Sequence, residues 1–114
     1  MSPKITVLMS VFNGEQFLCE SIESILNQTF IDLEFLIIND GSIDSSQEII
    51  LSYNDPRIIL LNNDENVGLS KSLNRGIRRS RGEYVARQDA DDISHPDRLK
   101  MQYEYMETNN CDVT

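Results

Sequence analysis

The stretch LEFLIINDGS, residues 33–42, decides the fold class. Residues 33–38 are almost continuously apolar, and a short run of this kind is typical of a β-strand buried on both faces of a parallel sheet. The polar residues 39–42 then break the strand into a loop. We therefore predict a strand over 33–38 whose end carries Asp40 to one edge of a sheet.

Strands and helices are predicted to alternate along the rest of the chain. Apolar runs predict further strands at 5–9, 58–61 and 83–88, and helical spacing of apolar residues predicts helices at 15–29, from 45, at 68–79 and from 96. Such alternation with short connections implies right-handed crossovers between parallel strands. We expect an α/β fold of three layers, a mostly parallel sheet with helices on both faces.

Two of these helices carry more detailed predictions. Ser45 and Glu48 have the spacing of a capping box, which predicts that their side chains close the start of the second helix. The third helix is two-sided, with an apolar face predicted to pack on the sheet and a basic face interpreted as solvated. Its apolar face is Leu69, Leu73 and Ile77, and its basic face is Lys71, Arg75 and Arg78.

Length and charge limit the classes of function. The chain has 114 residues, which suits one compact domain, and it has no internal repeat or low-complexity tract. Its formal net charge of -9 argues against a nucleic-acid partner, because such binding depends on Lys and Arg. A phosphate-bearing ligand is therefore expected to be bound locally, through a cation.

The cysteines and the hydropathy pattern predict a cytoplasmic protein. Cys19 and Cys111 lack the spacing of metal ligands, and we interpret both as packing residues, with a surface thiol as the alternative. No apolar stretch approaches the roughly 18 to 20 residues of a membrane span. Residues 111–114 resemble the start of another strand, so we expect the sequence to be part of a longer chain.

Asp89 and Asp91 form the most informative pair of side chains. They are separated by one small residue at the end of a predicted strand, and paired carboxylates suit Mg²⁺ or Mn²⁺ with phosphates completing the shell. An EF-hand calcium loop starting at Asp89 fails, because Ile93 and Ser94 occupy its fifth and sixth positions. Taken alone, the cluster is about as well explained by a solvated turn that caps the following helix.

Other polar residues are predicted at the same edge, since ligands of such sheets bind beyond the carboxyl ends of the strands. The carboxylate of Asp40 could accept an N–H from a nucleobase, although turn formation and helix capping also explain its residue type. Ser10 and Asn13 could offer polar groups to the same ligand, and Lys71 is the basic residue expected nearest to its phosphates. We interpret the lone histidine, His95, as structural.

Four motifs in order along the sequence resemble those of family 2 glycosyltransferases, and the resemblance covers nearly the whole chain. The first motif is residues 7–13 together with the helix end SILNQT at 24–29, and the second is NDGS at 39–42 with Asp44. The third is the set Asn66, Gly68, Asn74 and Gly76, and the fourth is Asp89-Ala90-Asp91, which resembles the family's metal-binding DxD. Asn39 stands where the family usually has an aspartate. The resemblance implies the type-A, Rossmann-like nucleotide-diphospho-sugar transferase fold.

The resemblance also implies a function for residues 1–114, that of the nucleotide-sugar-binding part of an inverting glycosyltransferase without its acceptor-binding part. The sugar would move from a nucleotide-diphospho-sugar, UDP-linked in our expectation, to a hydroxyl of a saccharide or lipid-linked acceptor in polysaccharide or glycoconjugate synthesis. Peripheral membrane contact of the longer protein, at the inner face of the membrane, fits such an acceptor. The general base of the family lies downstream of the DxD, beyond Thr114.

Individual roles follow from the same resemblance. Asp91 would bind Mn²⁺ or Mg²⁺ together with Asp89, which would also lie close to the ribose. The residues bordering the nucleoside would be Ser10, Asn13 and Asp40, and Lys71 would lie on the phosphate side.

The alternative function is a non-catalytic nucleotide-binding or regulatory α/β domain. A dinucleotide-binding enzyme is disfavoured because no G-x-G-x-x-G follows the first strand, and a P-loop enzyme because G-x-x-x-x-G-K is missing. A phosphoacceptor signalling domain would need acidic residues where Phe12, Asn13 and Gly14 stand.

Overall fold

A computed structural model describes residues 2–109, which fold into a parallel sheet flanked by helices. The elements are β1 (Ile5–Val11), α1 (Leu18–Leu26), β2 (Leu33–Asp40), α2 (Ser46–Leu51), β3 (Ile58–Asn63), α3 (Leu69–Arg79), β4 (Tyr84–Arg87) and α4 (Arg98–Asn109). The strand order is β3-β2-β1-β4, and every pair is parallel. The predicted α/β fold with a parallel sheet is confirmed.

Alternate residues of the strands face two separate cores, which makes the fold three-layered. In β1, Val7 and Met9 face the larger core, which α1, α2 and α4 complete. Leu8 faces the other way and packs in a smaller cluster with Leu73 of α3. All eight residues of β2 are buried, which explains why its sequence shows no alternation of apolar and polar residues.

The helix α3 packs on the sheet through small residues. Ser72 and Gly76 are its buried residues, and a Cβ atom at Gly76 would lie 2.2 Å from Leu8 Cδ1. Leu69 is 49% exposed and Ile77 is 51% exposed. The prediction that Leu69 and Ile77 pack on the sheet is therefore wrong. The helix approaches the sheet through Ser72 and Gly76, too closely for a large side chain at those two positions.

The start of α2 differs from the predicted capping box. Ser45 precedes the helix as predicted, but its side chain makes no capping hydrogen bond. The carboxylate of Asp44 takes that role, since its Oδ1 accepts the backbone N–H of Ser46 at 2.9 Å. Ser45 has φ -85 and ψ 14, outside the extended conformation that lets an N-cap side chain reach back.

Several other predictions are corrected in detail. The helix predicted over 15–29 is shorter, because residues 15–17 form turns and residues 27–29 follow the end of α1. Cys19 is exposed, so its interpretation as a packing residue is wrong. Cys111 and the strand predicted to start at 111–114 lie outside the described residues. Within residues 2–109, no helix combines the length and apolar character needed to cross a membrane.

Candidate functional site

The loops that follow β1 and β2 are tied together at the carboxyl edge of the sheet. Val11 lies beside Asn39 in the register of these strands. Beyond them, the backbone N–H of Asn13 donates to Ser42 Oγ at 2.9 Å, and Asn13 Oδ1 accepts the N–H of Ile43 at 2.9 Å. Asn13 has φ 53, a left-handed conformation that asparagine tolerates. Its side-chain oxygen therefore holds the second loop in place.

The acidic loop after β4 adjoins the loop after β1. A Cβ atom at Gly14 would lie 3.6 Å from the Cβ of Ala90, so the two backbones are neighbours. Because β1 lies between β2 and β4 in the sheet and all three are parallel, the loops that follow β2 and β4 leave the same edge of the sheet on either side of the loop after β1. The fold thus brings the predicted regions around Asn13, Asp40 and Asp89 to one edge.

Asp40 is the last residue of β2 and is almost completely buried, with 2% exposure. Its Oδ1 accepts the N–H of Val67 at 2.8 Å and the side-chain amide of Asn63 at 2.9 Å, and its Oδ2 accepts the N–H of Gly68 at 3.0 Å. The side chain of Ser72 is a further hydrogen-bond partner of this carboxylate. Asp40 therefore holds the backbone that leads into α3.

The charge on Asp40 is stabilised by its surroundings. Burial by itself would raise the pKa of this carboxyl. The hydrogen bonds from Val67, Asn63, Gly68 and Ser72 together outweigh burial, and the pKa of Asp40 lies below its ordinary value. The carboxylate is therefore ionised at neutral pH and can act only as an acceptor.

Asn39, which stands in place of the family's usual aspartate, is also buried, with 3% exposure. Its Nδ2 donates to Asn62 Oδ1 at 3.1 Å, and its Oδ1 accepts the N–H of Ser42 at 3.2 Å. An amide can donate and accept at once, whereas an ionised aspartate can only accept. The asparagine thus links the end of β3 to the loop after β2.

Three carboxylates converge in the acidic loop. Asp89, Asp91 and Asp92 are exposed, and each offers a carboxylate oxygen within 4.8 Å of those of the other two. Asp92 also closes the turn, because its N–H donates to Asp89 O at 3.0 Å and its Oδ2 accepts the N–H of Asp89 at 3.1 Å. Within residues 2–109, Asp91 makes no hydrogen bond or ion pair.

The donor set of the acidic loop fits a hard divalent cation. Its ligands are carboxylate oxygens, which Mg²⁺ and Mn²⁺ prefer, and its exposure leaves room for waters or phosphates in the remaining positions. Asp89 is partly engaged, since its Oδ1 lies 3.3 Å from Arg87 Nη2 in an exposed ion pair. Asp91 is therefore the carboxylate most available as a ligand.

Polar side chains of α1 make hydrogen bonds to the backbone of the acidic loop. Ser21 Oγ donates to Asp89 O at 3.2 Å, and Ser24 Oγ accepts the N–H of Ser94 at 3.0 Å. Gln28, one turn further along, donates through Nε2 to His95 O at 2.7 Å, on the α4 side of the three aspartates. This role was not predicted from the sequence, although Ser21 and Ser24, two polar residues about one turn apart on an otherwise apolar helix face, were a signal for it.

The remaining predicted residues lie at or near the same edge. Ser10 is half-buried in β1, and Lys71 is exposed in the first turn of α3. Arg75, predicted to be solvated, instead donates through Nη1 to Asn62 O at 2.8 Å and to Asn63 Oδ1 at 2.6 Å. His95 is exposed and accepts the N–H of Asp97 through Nδ1 at 3.1 Å, a structural contact at the start of α4.

Solved structures share this fold over nearly the whole chain. S. aureus TarS 1-349 in complex with UDP-GlcNAc matches with a TM-score of 0.88 and 24% identity, over 94% of this chain and 32% of that one. The mannosyltransferase PcManGT from Pyrobaculum calidifontis, in complex with GDP-Man and Mn²⁺, matches with a TM-score of 0.84 and 23% identity, over 93% and 33%. The fold is thus that of the type-A, or GT-A, glycosyltransferases.

The family follows from the sequence comparison. The family model described as glycosyl transferase family 2 matches residues 6–114, and the chain belongs to that family. An uncharacterized glycosyltransferase of Methanocaldococcus jannaschii is 44% identical over 97% of this chain and 39% of its own length. The glycosyltransferase GlyG of Streptococcus pneumoniae is 32% identical over 99% of this chain and 38% of its own length. The chain thus spans about two fifths of these two relatives.

Proposed function

We propose that this chain is the nucleotide-sugar-binding part of an inverting glycosyltransferase that uses a divalent metal and a UDP-linked donor. The observation that carries the proposal is the convergence of Asp89, Asp91 and Asp92 within 4.8 Å, on the sheet edge that also carries Asp40. The complexes of TarS with UDP-GlcNAc and of PcManGT with GDP-Man and Mn²⁺ support it, because both proteins share this fold.

Each residue at the edge has a role in this proposal. Asp91 is the main metal ligand and Asp89 the second, and a bound Mn²⁺ or Mg²⁺ would neutralise charge on the diphosphate leaving group. The ionised carboxylate of Asp40 is a hydrogen-bond acceptor, which suits an N–H of the uracil ring. Lys71 provides a positive charge near the phosphates, and Ser10 and Asn13 border the nucleoside.

Transfer of the sugar requires more than these residues. An acceptor hydroxyl attacks the anomeric carbon, the bond to the diphosphate breaks, and a general base takes the hydroxyl proton. The resemblance assigns that base to a position after Thr114. The acceptor, saccharide or lipid-linked, and a cytoplasmic location at the inner face of the membrane belong to this proposal for the longer protein.

The proposal is tested by calorimetric titration of UDP into the chain with and without Mn²⁺. We expect binding that is at least tenfold tighter with Mn²⁺, and we expect Asp91→Ala to abolish this difference. GDP in place of UDP tests the choice of nucleoside. Equal UDP affinity for both proteins in both conditions would show that the acidic loop is not a metal site for the donor.

The alternative, a non-catalytic nucleotide-binding domain, is separated by a second experiment. The full-length protein is incubated with UDP-sugars and saccharide or lipid-linked acceptors, and transferred sugar is measured by mass spectrometry. Metal-dependent UDP binding without transfer to any acceptor would favour the regulatory function.

A further inference from the structure

Gln88 is a buried side chain directly beneath the acidic loop. It follows the last residue of β4 and is 1% exposed. Its backbone N–H donates to Leu8 O at 3.0 Å, so its main chain is held by the central strand β1. Because the backbone is fixed there, the side-chain amide has a defined position between α1 and the loop.

The donor side of this amide reaches the ends of the acidic turn. Gln88 Nε2 lies within hydrogen-bond distance of Ser21 Oγ at 3.0 Å and of Asp92 O at 3.2 Å. It also lies 3.2 Å from both Ser21 O and Ser24 Oγ, so its two hydrogens are shared among several acceptors. Since Ser21 Oγ itself donates to Asp89 O, the Gln88–Ser21 pair binds the carbonyls of both Asp89 and Asp92.

The acceptor side of the amide reaches the start of α4. Gln88 Oε1 accepts from Ser94 Oγ and from Arg98 Nη1, the latter at 3.0 Å. Arg98 also donates through Nη2 to Arg87 O at 2.7 Å. One side chain thus connects α1, the end of β4, the acidic loop and α4.

The acidic loop needs such a connection because its own side chains oppose their convergence. The carboxylates of Asp89, Asp91 and Asp92 lie within 4.8 Å of one another and are exposed, so they repel one another. The position of the backbone that carries them determines whether the three side chains can converge on one point. The contacts of Gln88 and Ser21 are made to that backbone.

We propose that Gln88 is a positioning residue for metal binding, which sets the geometry of the acidic loop without touching the metal. This inference rests on the proposed function, because it requires Asp91 and Asp89 to be metal ligands. Residues that orient metal ligands commonly change affinity by about 10- to 100-fold when they are mutated. Gln88 acts on the ligands through the carbonyls of the loop.

Gln28 provides a matched control, because it is also a buried glutamine, with 3% exposure. Its Nε2 donates to Ser24 O and His95 O, and its Oε1 accepts the N–H of Leu99. It therefore connects α1 to α4 without touching residues 89–92. A Gln→Leu change at either position removes a buried amide and its bonds.

The experiment measures Mn²⁺ binding by electron paramagnetic resonance, in the presence of UDP and well below the melting temperature of each protein. We expect Gln88→Leu to weaken Mn²⁺ binding at least tenfold and Gln28→Leu to change it less than twofold, although both lower the melting temperature. Ser21→Ala removes one of the contacts to Asp89 and should weaken binding severalfold, and it serves if Gln88→Leu does not fold.

The outcomes separate this inference from the proposed function. If Gln88→Leu binds Mn²⁺ as tightly as the wild type, or if Gln28→Leu loses as much Mn²⁺ affinity as Gln88→Leu, the positioning role of Gln88 is overturned. The proposed metal site is not contradicted by either result. If Gln88→Leu does not fold, unchanged affinity in Ser21→Ala overturns it. Absence of Mn²⁺ binding by the wild-type protein overturns both proposals.

Discussion

The carboxylate of Asp40 holds the backbone N–H of Gly68 at 3.0 Å, so the end of β2 fixes the residue that precedes α3. Together with the bond to Val67, this contact satisfies backbone donors at the start of the helix. The residue that we expect to meet the nucleobase is thus also a structural part of the fold. Function and stability are coupled at this position.

Asp40→Asn tests that coupling. The change removes the charge and places an amide N–H₂ group against backbone donors, so we expect a loss of about 2 to 3 kcal/mol in the free energy of unfolding. Urea denaturation measures it. Asp64→Asn, at an exposed residue of the same region, should stay within about 0.5 kcal/mol of the wild type. Equal effects of the two changes would contradict the structural role of Asp40.

The pH dependence of stability gives an independent prediction for Asp40. Its pKa is lowered in the folded protein, because hydrogen bonds outweigh burial. A lowered pKa contributes stability that is present above the ordinary value of about 3.9 and is lost as the pH falls through the folded value. The stability difference between wild type and Asp40→Asn should therefore be constant from about pH 7 to 5 and shrink below about pH 4. A difference that grew on acidification would contradict the lowered pKa.

Gly41 and Gly68 both have positive φ, at 73 and 97, but they differ in their surroundings. A Cβ at Gly41 would lie 2.6 Å from Asn66 N, whereas a Cβ at Gly68 would meet nothing within 4 Å. Both alanine variants carry backbone strain, of about 1 to 3 kcal/mol, and Gly41→Ala should lose about 1 to 3 kcal/mol more from the clash. Thermal denaturation measures which of the two variants loses more stability. Equal losses would show that the backbone at Gly41 and the backbone at Asn66 can move apart without a cost in stability.

Arg87→Gln is expected to strengthen metal binding. Arg87 pairs with Asp89 at 3.3 Å and adds positive charge beside the acidic loop, so its removal frees a ligand. Since exposed pairs are worth at most about 1 kcal/mol, the gain in Mn²⁺ affinity should be no more than about fivefold. Lys4→Gln breaks an equally exposed pair with Glu83 at the other end of the sheet and is the control. Weaker Mn²⁺ binding by Arg87→Gln would argue that the ion pair orients Asp89 for the metal.

Lys71→Gln tests the predicted phosphate contact. Its removal should weaken the binding of UDP severalfold and leave the binding of uridine unchanged, because uridine lacks the diphosphate. Arg78→Gln removes an exposed charge of the same helix seven residues further from its start and should change neither affinity. Isothermal titration with both ligands makes the comparison. If both variants weakened UDP binding equally, the effect would come from the overall positive charge of the helix and not from a contact between Lys71 and the diphosphate.

The sequence was sufficient for the sheet and for the position of the acidic loop. Residues 33–38 are apolar except for Glu34 and show no alternation because β2 is buried on both faces, and that signal is local. The contact face of α3 was not predictable in the same way, since Ser72 and Gly76 carry no hydrophobic signal and are selected by the close approach of the helix to the sheet. Hydrophobic periodicity favoured the larger residues beside them.

The connection beneath the acidic loop was also not predictable from local pattern. Gln88 looked like the last residue of a strand, and its partners Ser21 and Ser24 lie 67 and 64 residues away in the sequence. Asp40 was recognised as a polar residue at a strand end, but its donors Asn63, Val67 and Gly68 lie 23 to 28 residues further along. Such pairings depend on the register of the strands and on the tertiary packing, which single residues do not encode.

The long reach of these contacts has a consequence for folding. The bonds that support the acidic loop join residues 64 to 70 positions apart, so the chain must bring distant segments together, at an entropic cost, before the acidic loop takes shape. Unfolded chains do not gather Asp89, Asp91 and Asp92 around one point. A cation that selects the gathered form therefore shifts the equilibrium toward the native state, and its concentration becomes a determinant of how much of the protein is folded.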